Sequence, residues 1–141
     1  TKGFVVADLN GNNLINKPGD GPRGDDEAFS NFDNESVDVI TCALSIDYLM
    51  DPIQILKGCN RLLRPGGKVI VSFSSRFYGT KATRLWRVTG INFHLELVNA
   101  FIQYAGNYEQ PMAYNITPSI PDKSQKYRDP LLVVEAVKKK S

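Results

Sequence analysis

The stretch that most restricts the fold runs from Val37 to Phe73: an apolar run, "VDVITCALS", then "DPIQILKGCNRLLR", then "PGGKVIVSF". The first run is apolar nearly throughout and too short for an ordinary helix, which predicts a strand covered on both faces. The second opens with Asp51 as a helix N-cap, Pro52 at the first helical position and Gln54 where a capping-box partner sits. Ile55, Cys59 and Leu62 recur at spacings of four and three, and Leu56 and Leu63 widen the same stripe, so one face of this helix must pack on a sheet. Lys57, Arg61 and Arg64 lie toward the C-terminal half, where cations suit the helix dipole. Pro65 and Gly66 end the helix, and "KVIVSF" begins the next strand. A strand, a helix and a strand in this order form a crossover unit whose two strands run parallel with a right-handed connection.

The flanking sequence extends this unit in both directions. "GFVVADLN" reads as a buried strand ending in a polar turn, and residues 11–36, dominated by Gly, Pro, Asn and Asp, read as a long surface loop. Downstream, "TKATRLWRVTG" predicts a helix from Thr80 closed by Gly90. "NFHLELVNAFIQYAG" predicts another, capped by Asn92, with Phe93, Leu97, Phe101 and Tyr104 as its apolar stripe up to Gly106. "PMAYNIT" and "LLVVEAV" are strands able to pair as an antiparallel ribbon across a polar, proline-bounded connection. The whole reads as one α/β domain over residues 1–141, with residues 138–141 as a solvated basic tail.

Charge and cysteines narrow the partners. The net charge is +2 and "KKK" at Lys138–Lys140 carries much of the excess, so no broad basic face and no nucleic acid partner are expected. Cys42 and Cys59 fall in apolar settings without metal-ligand spacing, which predicts buried free thiols, no metal site, and a reducing intracellular compartment. No apolar run approaches the ~20 residues of a membrane span, and no membrane partner is expected.

Three strings add a resemblance: "DLN" after the first strand, "FDNESVDVITCALSIDYLMDP", and "RLLRPGGKVIVSFSSRFYGTKATRLW". In this order they resemble the second half of class I methyltransferases that use S-adenosylmethionine, most closely the group called methyltransferase type 11, over about Phe4 to Val137. The resemblance implies an incomplete Rossmann-like methyltransferase sheet: parallel strands with helices, ending in an antiparallel strand pair, from a family whose strand order is 3-2-1-4-5-7-6. It implies S-adenosylmethionine as cofactor and a small-molecule methyl acceptor. In that family the acid ending the third strand approaches the adenine amino group, a place occupied here by Asp8, with Leu9 beside the adenine face. Residues after the fourth strand meet the methionine part, which implies Leu44, Ser45 and Asp47. Arg76, Tyr78 and Lys81, after the fifth strand, fall on the substrate side.

The departures are as informative. The glycine-rich turn after the family's first strand is absent, as is the second strand with its ribose-binding acid, and the close backbone approach such glycines permit has no substitute. "SNF" at Ser30–Phe32 stands where the family often has "LPF". The expectation is therefore the C-terminal portion of a methyltransferase, weak in cofactor binding by itself, with the missing strands supplied by another chain segment. A non-catalytic α/β interaction module is the alternative, and a nicotinamide dehydrogenase, which also needs a glycine fingerprint, a third.

Individual residues carry plainer readings. Gly66 and Gly67 are expected to stop the helix, Trp86 to sit in the core, and His94 to be a partly exposed helix residue, since no nucleophile or carboxylate completes a triad. Asp47 and Tyr48 are evenly divided between loop packing and ligand contact. No catalytic base is identified.

Overall fold

In the computed structural model, residues 9–10, 29–30, 32–118 and 129–140 are described. Their elements are β1 (Val37–Ala43), a single 3-10 turn (Ile46–Tyr48), α1 (Pro52–Leu62), β2 (Leu63–Ser74), α2 (Arg84–Val88), α3 (Ile91–Ala105), β3 (Met112–Asn115) and β4 (Leu131–Val137). They form one four-stranded sheet in the order β1-β2-β4-β3. β1 and β2 lie side by side and parallel, with Ile40 opposite Val69 and Cys42 opposite Val71, as a crossover through α1 requires. β4 runs antiparallel to both β2 and β3, so the expected ribbon exists and the order reproduces the 4-5-7-6 half of the methyltransferase sheet.

The helix α1 starts as its sequence demands: Asp51 accepts the backbone N–H of Gln54 at 3.2 Å, and Pro52 is in its first turn. Its end differs from the expectation. It stops at Leu62 rather than at Pro65, because the backbone N–H groups of Glu35 and Ser36 take the carbonyls of Arg61 and Leu62 at 3.0 and 2.9 Å. "LRPGG" then belongs to β2 as a bulge: Val37 pairs with Leu63 but Val39 with Lys68, so five steps on β2 face two on β1. Arg64 Nη1 reaches both oxygens of Asp38 at 2.9 Å across it. Gly66 takes a left-handed φ of +81°, and a Cβ on Gly67 would stand 2.8 Å from the Asp38 carbonyl oxygen and 2.9 Å from that of Arg64. Both glycines are fixed by backbone geometry.

The core lies between one face of the sheet and the helices α1 to α3. Val69, Val71 and Phe73 of β2 and Val134 and Ala136 of β4 are buried against Ile55, Leu56 and Cys59 of α1 and Val98 and Ile102 of α3. Each large apolar side chain buried this fully contributes roughly 1.5–3 kcal/mol before entropy is counted. Trp86 joins the same core as expected, meeting Phe73 edge-on at 5.6 Å.

Four expectations are corrected. β1 is not covered on both faces: Val39 is 49% exposed, with Thr41 and Ala43 exposed beside it, because no described element packs on that face or pairs with its outer edge. The helix expected from Thr80 begins at Arg84, after a turn in which Lys81 and Ala82 both donate to the Tyr78 carbonyl. The buried stripe of α3 is His94, Val98 and Ile102, one residue on from the expected one, leaving Phe93 and Tyr104 exposed; its N-cap position is Gly90, not Asn92. The basic tail is not solvated at its start: Lys138 is buried, its Nζ donates to the Leu63 carbonyl at 2.8 Å, and Glu35 lies at 3.5 Å. Its backbone also pairs with Gly66 and Gly67. Aligned behind β4, this lysine ties the bulge to the last strand.

Candidate functional site

In an open α/β sheet, ligands collect where the strands end at their carboxyl ends. At that end of β1 and β2 a cleft of about 550 Å³ is lined by Leu44, Tyr48, Ser74, Arg76, Phe77, Tyr78 and Asp129. Leu44 and Tyr48 follow β1; Ser74 closes β2, and Arg76 to Tyr78 follow it. Asp129 joins them because β4 is antiparallel, so its start lies at the same end.

Local conformation shapes each wall. Leu44 holds a left-handed φ of 50°, uncommon for a branched side chain, while its N–H is tied to the Ser72 carbonyl at 2.9 Å. That conformation costs about 1–2 kcal/mol and turns the chain abruptly out of β1. Tyr48 links the two walls: its hydroxyl accepts the backbone N–H of Tyr78 at 3.0 Å. Arg76 Nε meets Asp129 Oδ2 at 2.6 Å. Neither terminal guanidinium nitrogen of Arg76 has a partner among the described residues, so the aspartate orients the fork by its Nε and leaves both terminal nitrogens available to a ligand.

A second set of contacts holds the post-β1 turn. The side-chain amide of Asn10 donates to the Tyr48 carbonyl at 3.0 Å and accepts the Met50 N–H at 2.9 Å, which fastens Asn10 to the turn after β1. The Asp47 carbonyl accepts the Thr83 N–H at 2.9 Å and so anchors the start of α2. Asp47 is 3% exposed, and burial pushes its carboxyl above the usual carboxylate range. Burial also pushes the Cys42 thiol up, against the lowering effect of the Ser45 hydroxyl 3.4 Å away.

Of the residues expected from sequence, Leu44, Arg76 and Tyr78 come together in the cleft. Leu9 packs on the hydrophobic core, Ser45 faces Cys42, Asp47 is buried behind the turn, and Lys81 is exposed outside the lining. Asp8 lies outside the described residues, as does most of the loop 11–36. Asn10, Ser74, Phe77 and Asp129 were not singled out by sequence reasoning. For Asp129 a signal existed: a final strand antiparallel to its neighbour must begin where that neighbour ends. His94 is corrected as well. It is 2% exposed, stacked on Trp86 at 3.9 Å, with Nε2 donating to the Trp86 carbonyl at 2.9 Å, and so is a core residue.

Comparison with known proteins accords with this geometry. A family profile described as "Methyltransferase domain" matches residues 11–71. A ubiquinone biosynthesis O-methyltransferase of Cupriavidus pinatubonensis is 38% identical over 72 residues, which is 51% of this chain and 28% of that protein. Across such curated relatives the matched region spans only about a quarter of their length. Among solved structures, an S-adenosylmethionine-dependent methyltransferase of Thermotoga maritima, a possible histamine N-methyltransferase, superimposes with a TM-score of 0.54 at 19% identity, covering 77% of this chain and 59% of that one. Phosphoethanolamine N-methyltransferase 2 of Haemonchus contortus, in complex with S-adenosylmethionine, gives 0.51 at 16% identity, covering 77% and 35%. The fold is therefore that of Rossmann-like S-adenosylmethionine-dependent methyltransferases, and over residues 11–71 the sequence is similar to a methyltransferase domain.

Proposed function

We propose that this chain forms the acceptor-side half of a methyltransferase site that uses S-adenosylmethionine and acts on a small molecule. The observation that carries the reading is the cleft at the carboxyl ends of the parallel pair β1 and β2, walled by Leu44, Tyr48, Arg76 and Tyr78. When bound, the cofactor supplies a sulfonium-bound methyl group. The residues of this chain suit its methionine end: Leu44 and Ser45 follow β1, and the aromatic rings of Tyr48 and Phe77 line a partly apolar cleft. Asp8 and Leu9 are assigned the adenine, an Asp carboxylate being a natural acceptor for an exocyclic amine. The glycine turn and ribose acid are not in this sequence, so the fit is to part of the cofactor.

On the acceptor side, Arg76 and Tyr78 orient the substrate, and the Tyr48 bond to Tyr78 keeps the two walls at a fixed separation. Transfer of this kind depends chiefly on holding two reactants close and aligned. An oxygen acceptor accords with the O-methyltransferase among the sequence relatives.

Two experiments test the reading. Radiolabelled methyl transfer by the native gene product to a panel of small phenols and amines should be detectable, and should fall on Arg76→Ala or Tyr78→Ala with cofactor affinity retained. Calorimetric titration of the isolated 141-residue chain should show weak or no S-adenosylmethionine binding; micromolar affinity would overturn the partial-site assignment. The second reading, a non-catalytic module, is favoured by one observation, the outer edge of β1, which pairs with no strand among the described residues. A native product without methyl transfer that captures a partner through that edge would support it.

A further inference from the structure

Between Pro52 and Leu95 the chain has no Asp or Glu, yet it has eight Lys and Arg residues. Most of those on or beside the sheet are committed to the fold. Arg61 donates to the carbonyls of Phe29 and Phe32 and to Asn34; Arg64 pairs with Asp38, Lys68 with Glu135, and Arg76 with Asp129. Lys81, Arg84 and Arg87 differ: all three are exposed, and none has a side-chain partner among the described residues.

The same segment exposes large apolar side chains. Tyr78 is 75% exposed, Leu85 45%, Val88 70% and Phe93 44%. Leu85 and Val88 stand three apart on α2 and are neighbours on one face, with Arg84 one turn before Val88. Trp86, on the opposite side of α2, is 1% exposed, and its stack on His94 fixes the helix to the core. The outward face is therefore preformed: apolar side chains bordered by unpaired cations on a rigid support.

We propose that the segment from Tyr78 to Phe93 docks on an anionic lipid surface, with Leu85 and Val88 entering the headgroup layer and Lys81, Arg84 and Arg87 meeting lipid phosphates. Interleaved cations and apolar groups are what such an interface rewards. A nucleic acid backbone would satisfy the cations but leave Leu85 and Val88 without a counterpart. No described helix is long and apolar enough to cross a membrane, but surface docking makes no such demand. The proposal does not rest on methyl transfer.

The test is co-sedimentation of the 141-residue chain with vesicles of phosphatidylcholine alone and of phosphatidylcholine mixed with phosphatidylserine. Binding is expected to the mixed vesicles only, weakening as salt is raised. Combined Lys81→Glu, Arg84→Glu and Arg87→Glu should lower partitioning on the order of 100-fold. Combined Leu85→Asp and Val88→Asp, which keeps the cations, should lower it at least tenfold, with near-ultraviolet dichroism of Trp86 confirming the fold. The proposal is overturned by equal binding to both vesicle types, by no binding to either, or by binding that survives either set of substitutions. Tight binding to an RNA homopolymer that ignores the Leu85 and Val88 changes would reassign the patch to nucleic acid.

Discussion

The hydroxyl of Tyr48, carried on the turn after β1, accepts the backbone N–H of Tyr78, carried on the loop after β2, at 3.0 Å. This one bond spans the cleft and sets the distance between its walls. Tyr48→Phe removes the acceptor and leaves the ring. We expect a stability loss of about 1 kcal/mol in urea unfolding, the net worth of one such bond. Methyl-transfer assays should show a larger fall in kcat/KM for the acceptor than in cofactor affinity.

Arg76 and Asp129 should behave differently. Their ion pair is solvent-exposed, with Arg76 81% accessible, and such pairs add little to stability. Arg76→Ala and Asp129→Asn should leave the thermal midpoint nearly unchanged. Both should raise KM for the acceptor, because the guanidinium loses either its presence or its orientation.

Gly67→Ala tests the bulge. Its new methyl group would meet two backbone oxygens inside 3 Å, neither of which can swing aside. The cost should be about 1–3 kcal/mol or more, read as a lower urea midpoint. Gly66→Ala meets only the flexible Lys140 side chain, and its cost, about 1–2 kcal/mol, comes from the left-handed φ alone.

Lys138→Met keeps the buried stem but removes the bond to the Leu63 carbonyl, and should destabilise by about 1.5–3 kcal/mol. Lys140→Ala, at an exposed position beside Gly66, should be near neutral. Denaturation curves of the two variants would separate a buried anchor from a solvated charge run.

Asp47 gives the pH dependence. Its carboxyl holds its proton more tightly in the folded chain than at the ordinary value of 3.8, because burial disfavours the charge. Its contribution favours folding below pH about 3.8 and fades as pH rises through the raised folded value. Asp47→Asn should therefore stabilise the chain near neutral pH, and the gain should shrink toward pH 4 in urea midpoints measured across that range.

The crossover from Val37 to Phe73 was legible because each of its signals is local: Asp51 and Pro52 start the helix, and the Ile55, Cys59 and Leu62 repeat selects its buried face. The antiparallel ribbon and the core role of Trp86 were legible on similar grounds. What escaped was set by tertiary contact. The α1 terminus depends on N–H groups of Glu35 and Ser36 arriving from upstream, and Lys138 looks like part of a charge run until β4 places it over Leu63. The α3 stripe moved by one residue because Trp86 offered His94 a stacking surface that no periodicity in α3 encodes. In the cleft, Leu44, Arg76 and Tyr78 follow from strand ends and Asp129 follows once the antiparallel course of β4 is known, whereas the bonds from Asn10 to Tyr48 and Met50 are tertiary and no local pattern encodes them.

The sheet order has a consequence for how the chain is made. β4 is synthesised after both β2 and β3 and yet lies between them, and these two do not pair with each other. Until Leu131–Val137 emerges, β3 has no partner among the described strands and β2 lacks its pairing along Val69, Val71 and Phe73. A nascent chain stalled upstream of Leu131 would thus present an open, apolar strand margin to its neighbours, the condition under which unfinished polypeptides self-associate.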